Sequence, residues 1–124
     1  MKKISIISIS MLSIINSFAY AQSFINIDKP EQLKTTPSSL VMIAADWCST
    51  CLEQKKVLSK LLKQDKYKSI KLYSVNFDTQ KNSLKNFNAS MQSTLIGYKE
   101  GKEVERITGE TKTAPIEKLL DKTL

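Results

Sequence analysis

The sequence predicts an α/β domain with a central mixed β-sheet flanked by helices. Three observations carry that prediction. Strand-like and helix-like stretches alternate along the chain, in the order β-α-β-α-β-α-β-β-α. One stretch, Leu40 to Ala45, is continuously apolar, as a strand covered on both faces must be. Near the C-terminal end, Lys99-Glu100-Gly101-Lys102 reads as a hairpin turn, which adds antiparallel pairing to an otherwise parallel sheet.

The elements follow in order. Phe24-Ile25-Asn26-Ile27 alternates apolar and polar residues, fitting a short first strand. Asp28-Lys29-Pro30-Glu31 reads as an N-cap leading into a brief helix through Leu33, stopped by Thr35-Thr36-Pro37. After the buried strand, Leu58, Leu61 and Leu62 recur at helical spacing, with Lys55, Lys56, Lys60 and Lys63 on the wet side. That helix is expected to end near Asp65 to Lys68. Ile70 to Phe77 reads as the next strand, and Thr79 to Phe87 as a weaker helix closing at Asn88. Thr94 to Tyr98 and Val104 to Thr108 form the hairpin strands, Gly109 breaks the second, and a terminal helix fills Pro115 to Leu120.

The 124 residues leave room for one domain, and the first part reads as something other than fold. Met1-Lys2-Lys3 is a short basic start, and Ile4 to Phe18 is mostly apolar but interrupted by serines. Ala19-Tyr20-Ala21 places small residues where a signal peptidase reads them. The expectation is a signal peptide over 1–21 and a single domain over 22–124. A membrane anchor is the competing reading, but the stretch is shorter than the roughly 20 apolar residues a spanning helix needs.

Charge excludes little but narrows the partners. The chain carries 19 basic and 12 acidic residues and no histidine, and removal of Lys2 and Lys3 with the leader would leave a net charge of about +5. The lysines are scattered and interleaved with acids, and Arg106 is the sole arginine, so a solvated basic surface is expected and nucleic-acid binding is not. The absence of histidine removes Cys–His and Ser–His hydrolase chemistry.

The chemistry concentrates in Trp47-Cys48-Ser49-Thr50-Cys51, which contains both cysteines of the chain. Two thiols at this spacing can close into a disulfide within one turn and reopen without disturbing the rest of the fold. A Cys48 that opens a helix faces unpaired backbone N–H groups and the positive end of the helix dipole, which favours the thiolate. The pair also stands at the carboxyl end of a central strand, where reactive groups in open α/β sheets collect.

Here the chain resembles the thioredoxin family over nearly all of residues 22–124. The matching residues are Ala45-Asp46-Trp47-Cys48-Ser49-Thr50-Cys51 after an apolar strand, Val75-Asn76-Phe77-Asp78, Ser93-Thr94-Leu95-Ile96, the Lys99–Lys102 hairpin and Gly109. The lead-in together with an export signal is similar to periplasmic bacterial members that take electrons from a membrane thiol transporter. The resemblance implies a thioredoxin-like fold and an exported thiol–disulfide oxidoreductase acting as a reductase. Cys48 would attack a substrate disulfide, and Cys51 would resolve the mixed disulfide. Trp47 would shape the contact surface, and Gln92 and Ser93 would form the substrate-facing edge. Protein disulfides are the implied substrates, a membrane thiol transporter the implied donor, and a monomer without cofactor the implied state.

Three positions depart from the family pattern. Ser49-Thr50 replaces Gly-Pro between the cysteines. Met42 stands where a buried acid usually acts on the resolving thiol, and Ser74 where its lysine partner would be, leaving water or Glu53 as the proton carrier for Cys51. Ser93 stands where the family has a cis-proline, and a cis bond before a non-proline residue costs about 2.5–4 kcal/mol, so Gln92–Ser93 is expected trans. Two other readings compete. Cys48 and Cys51 could hold Cu(I), which accepts two-thiolate ligation, whereas structural zinc lacks ligands here. Alternatively, the domain could be a redox-inert interaction module. The oxidoreductase reading places no metal at the site.

Overall fold

The computed structural model describes residues 23–124. The leader read over 1–21 lies outside the described residues. Five strands form one sheet: β1 (Ile25–Asn26), β2 (Ser38–Ala44), β3 (Lys71–Asn76), β4 (Thr94–Lys99) and β5 (Lys102–Thr108). Three α-helices accompany them: α1 (Ser49–Leu61), α2 (Lys81–Asn86) and α3 (Thr113–Thr123). The strand order is β1-β3-β2-β4-β5, with β1 and β2 parallel to β3. β4 runs antiparallel to both β2 and β5. The mixed α/β sheet expected from the sequence is the one observed.

β2 explains why a continuous apolar run was needed. Successive side chains point to opposite faces, so Leu40 and Met42 enter one core while Val41 and Ile43 enter the other. The first core collects Leu58 and Leu61 of α1 with Ile116, Leu119 and Leu120 of α3. The second collects Leu33, and Leu84 and Phe87 from around α2. All four β2 side chains are fully enclosed.

Several boundaries differ from the expected ones, each for a physical reason. β1 has only two ladder residues, because Asp28 turns toward α2 and accepts from Ser83 Oγ and Gln80 Nε2. Asp28 is therefore not a helix cap. Lys29 precedes the short 3-10 turn Pro30–Leu33, and Gln32 Oε1 accepts the N–H groups of Asp28 and Lys29 instead. α1 ends at Leu61, earlier than expected. Three-residue turns, with Lys63 N donating to Lys60 O and Gln64 N to Leu61 O, close it, and Tyr67 then turns into the core. α3 begins two residues before Pro115, which sits in the first turn, where a missing N–H leaves no bond unmade. The β4–β5 turn holds both Glu100 (φ 51°) and Gly101 (φ 83°) in the left-handed region, the geometry a two-residue hairpin demands.

Candidate active site

The register of the sheet brings the site together before any side chain is considered. Ile43 pairs with Thr94, and Thr94 pairs with Thr108. The end of β2, the loop before β4 and the loop after β5 therefore lie side by side, and the cysteine motif emerges directly from β2.

Cys48 is the N-cap residue of α1, in extended backbone conformation, and Cys51 lies in the first turn. The two are joined as a disulfide with their Cα atoms 5.3 Å apart. Cys48 Sγ accepts the Cys51 backbone N–H at 3.0 Å, the hydrogen bond that stabilises a thiolate when the disulfide opens. Both cysteines are buried, Cys51 the more deeply, at 2 % exposure against 5 %. Their neighbours in the core include Met42, Ala45, Leu58 and Leu95. Among the described residues no group of three or more His, Cys, Asp or Glu side chains is placed to hold a metal.

Trp47 stands beside the pair and is 61 % exposed. Its indole Nε1 donates to Asp78 Oδ2 at 2.9 Å, and its ring meets Phe77 edge-on, centroids 6.5 Å apart. Asp78 is itself held. Asn76 Oδ1 accepts the Asp78 and Thr79 N–H groups, turning the chain after β3 toward the indole.

The Gln92–Ser93 segment follows exposed Met91 and runs into β4. No peptide bond among the described residues is cis, and Ser93 instead takes a left-handed conformation, φ 55°. Its hydroxyl donates to the Gln92 carbonyl at 2.6 Å, so it points back into the loop, and Ser93 is 5 % exposed. Gln92 is half-buried and, with Met91, forms the outward edge of this segment.

Met42 is fully enclosed and pairs in register with Ser74. Together they line a cavity of about 350 Å³ with Asn26, Ala45, Asp46 and Lys55. Glu53 does not reach this space. It lies on the solvent side of α1, paired with Lys56 at 3.3 Å, which corrects the expectation of Glu53 as a proton carrier for Cys51. The buried polar side chain of α1 is Gln54, which the sequence reading passed over. Cys51, Gln54, Leu58 and Leu61 form one buried stripe. A glutamine within that stripe was the available signal.

Comparison with known proteins agrees with this geometry. A family model described as Thioredoxin matches residues 25–122. The chain is 33 % identical over 70 residues to a thioredoxin of Chlamydia caviae, covering 56 % of this chain and 67 % of that one. It is 28 % identical over 93 residues to putative thioredoxin-5 of Dictyostelium discoideum, covering 75 % and 88 %. The crystal structure of Trxlp from Edwardsiella tarda superposes with a TM-score of 0.68 at 34 % identity, covering 86 % of this chain and 94 % of that one. Fasciola hepatica thioredoxin shares the fold, with a TM-score of 0.67 at 17 % identity, covering 82 % and 100 %.

Proposed function

The chain belongs to the thioredoxin family and is a thiol–disulfide oxidoreductase, and on that premise we propose that it is an exported reductase of protein disulfides. The observation that carries the reading is the Cys48–Cys51 pair at the start of α1, with Cys48 Sγ accepting the Cys51 N–H. That arrangement favours Cys48 as the thiolate and leaves Cys51, deeper in the core, to act second.

In this reading the Cys48 thiolate attacks one sulfur of a substrate disulfide and expels the other as a thiolate. The resulting mixed disulfide is attacked at Cys48 Sγ by the Cys51 thiolate, which closes the Cys48–Cys51 bond and releases the second substrate thiolate. Two electrons pass to the substrate, and two protons complete its thiols. With Met42 and Ser74 at the cavity, water supplies the proton exchange of Cys51. A donor dithiol must then reopen the Cys48–Cys51 bond, and a membrane thiol transporter is the proposed source. Export through the 1–21 leader, a periplasmic location and a monomeric state complete the proposal.

Cys51→Ser tests the order of attack. Produced in the native compartment, this variant should accumulate mixed disulfides through Cys48 to protein partners, and Cys48→Ser should accumulate none. Capture of no partner by Cys51→Ser overturns the reductase reading. Equilibration with glutathione tests direction: a potential near about −270 mV supports a reductase, whereas one near about −120 mV marks an oxidant.

A further inference from the structure

Gln54 follows Cys51 by three residues on α1 and is completely enclosed, at 0 % exposure. Its side-chain Nε2 donates to two backbone carbonyls, Ser93 O at 3.0 Å and Glu110 O at 3.0 Å. The Ser93 carbonyl also accepts the Gly109 N–H at 2.8 Å. One amide thus joins the dithiol helix to the loop before β4 and the loop after β5.

The other end of the same side chain shows what it is for. Gln54 Oε1 is buried with no hydrogen-bond partner among the described residues. An apolar side chain of similar length would fill the space without leaving a polar atom unpaired. The two donors are what glutamine adds. The loop has need of them, since it lacks a proline ring and holds Ser93 in a conformation L-residues seldom adopt. The Ser93 hydroxyl bonds to Gln92 O, and Thr94 Oγ1 bonds to Met91 O and to the Thr108 hydroxyl of β5, which ties the loop to itself and to the neighbouring strand but not to the helix.

We infer that Gln54 is a positioning residue that clamps the Gln92–Ser93 edge at a fixed place relative to Cys48, so that an incoming protein disulfide meets thiolate and loop in register. Gln54 makes no hydrogen bond to either cysteine sulfur among the described residues and acts through the loop carbonyl. The inference rests on the reductase reading above.

The test uses the full chain with Gln54→Met, which keeps the volume and removes both donors. Insulin is the protein disulfide, and 5,5′-dithiobis(2-nitrobenzoate) is the small one that needs no loop. The KM for insulin should rise about tenfold, the scale of one or two lost hydrogen bonds, with kcat and the small-disulfide rate changed by no more than about twofold. A merely structural role lowers the melting temperature and leaves the KM of the folded fraction alone. An unchanged KM, or equal losses on both substrates, overturns the inference. Gln54→Glu, of the same size but with acceptors for donors, must show the same split. On the unaltered protein, the Gln54 side-chain amide protons should exchange slowly, and rapid exchange would refute the clamp even where neither variant folds. If the unaltered protein reduces the small disulfide but no protein disulfide, the reductase reading fails, while the exchange measurement still reports on the clamp.

Discussion

Trp47 is a large apolar ring left mostly in water, and one hydrogen bond sets its direction. The Asp78 carboxylate accepts from the indole, and Asn76 in turn holds the Asp78 backbone. An exposed hydrogen bond to a charged acceptor contributes on the order of 1 kcal/mol, enough to hold the ring in one orientation against its rotamer freedom. Asp78→Ala should therefore leave the fold intact and free the indole. Steady-state anisotropy of this sole tryptophan should fall, and protein-disulfide reduction should slow by roughly fivefold, the kinetic equivalent of that one bond. Unaltered anisotropy would show that Phe77 alone holds the ring. The dithiol and its tryptophan were legible in the sequence because they are contiguous. Gln54 stands out only as a polar residue in an apolar stripe, and its role is not legible, because its partners, Ser93 and Glu110, lie 39 and 56 residues away and are backbone carbonyls, which leave no trace in residue identity. Glu53 misled for the opposite reason: its charge marked it, while the helical phase put it on the solvent side.

At the scale of elements, strand identities were readable and helix ends were not. β2 and β4 announce themselves through runs of apolar residues that two cores require. The end of α1 depends on Tyr67 finding its place near α3, where its hydroxyl donates to Asp121, a contact no local pattern encodes. The same holds for the seat of α3 on the sheet. Gly97 in β4 faces Thr123, whose hydroxyl donates to Leu119 O at 2.8 Å within the last turn of α3. A Cβ at Gly97 would overlap Thr123 Oγ1, so the glycine is present for close approach and not for backbone freedom. Gly97→Ala should destabilise the protein by about 1–3 kcal/mol, the usual cost of overpacking a fitted core. Thr123→Ala removes the obstructing hydroxyl and should recover most of that loss in the double variant, as read by urea denaturation. Additive effects of the two changes would show that α3 does not bear on the strand at this point.

Residues 23–124 fold around two cores separated by one sheet, and Tyr98 closes the second of them. It is 3 % exposed, with its ring edge-on to Phe87 at 6.2 Å. Burial, with a smaller contribution from Glu103 and partly offset by Arg106, pushes its hydroxyl up to about 12 from the ordinary value of 10.0. The folded state therefore keeps a proton that the unfolded chain gives up between these two values. Where the unfolded state binds fewer protons, stability falls as pH rises, so the contribution of Tyr98 is intact below pH 10 and is lost on the way to about pH 12. Tyr67 shifts in the same direction, from burial and then its bond to Asp121, and adds to the alkaline loss. A comparison of two proteins that differ only in this hydroxyl isolates its contribution, which a single melting curve does not. Tyr98→Phe keeps the ring and removes the titrating hydroxyl, for which no hydrogen-bond partner is found among the described residues. The gap in unfolding free energy between this variant and the unaltered protein should be constant up to pH 10. It should then move in favour of phenylalanine at up to about 1.4 kcal/mol per pH unit, the value for one proton. Urea midpoints at pH 9, 10.5 and 11.5 measure that gap directly, and parallel decline of the two proteins would mean that the second core opens to water before Tyr98 titrates.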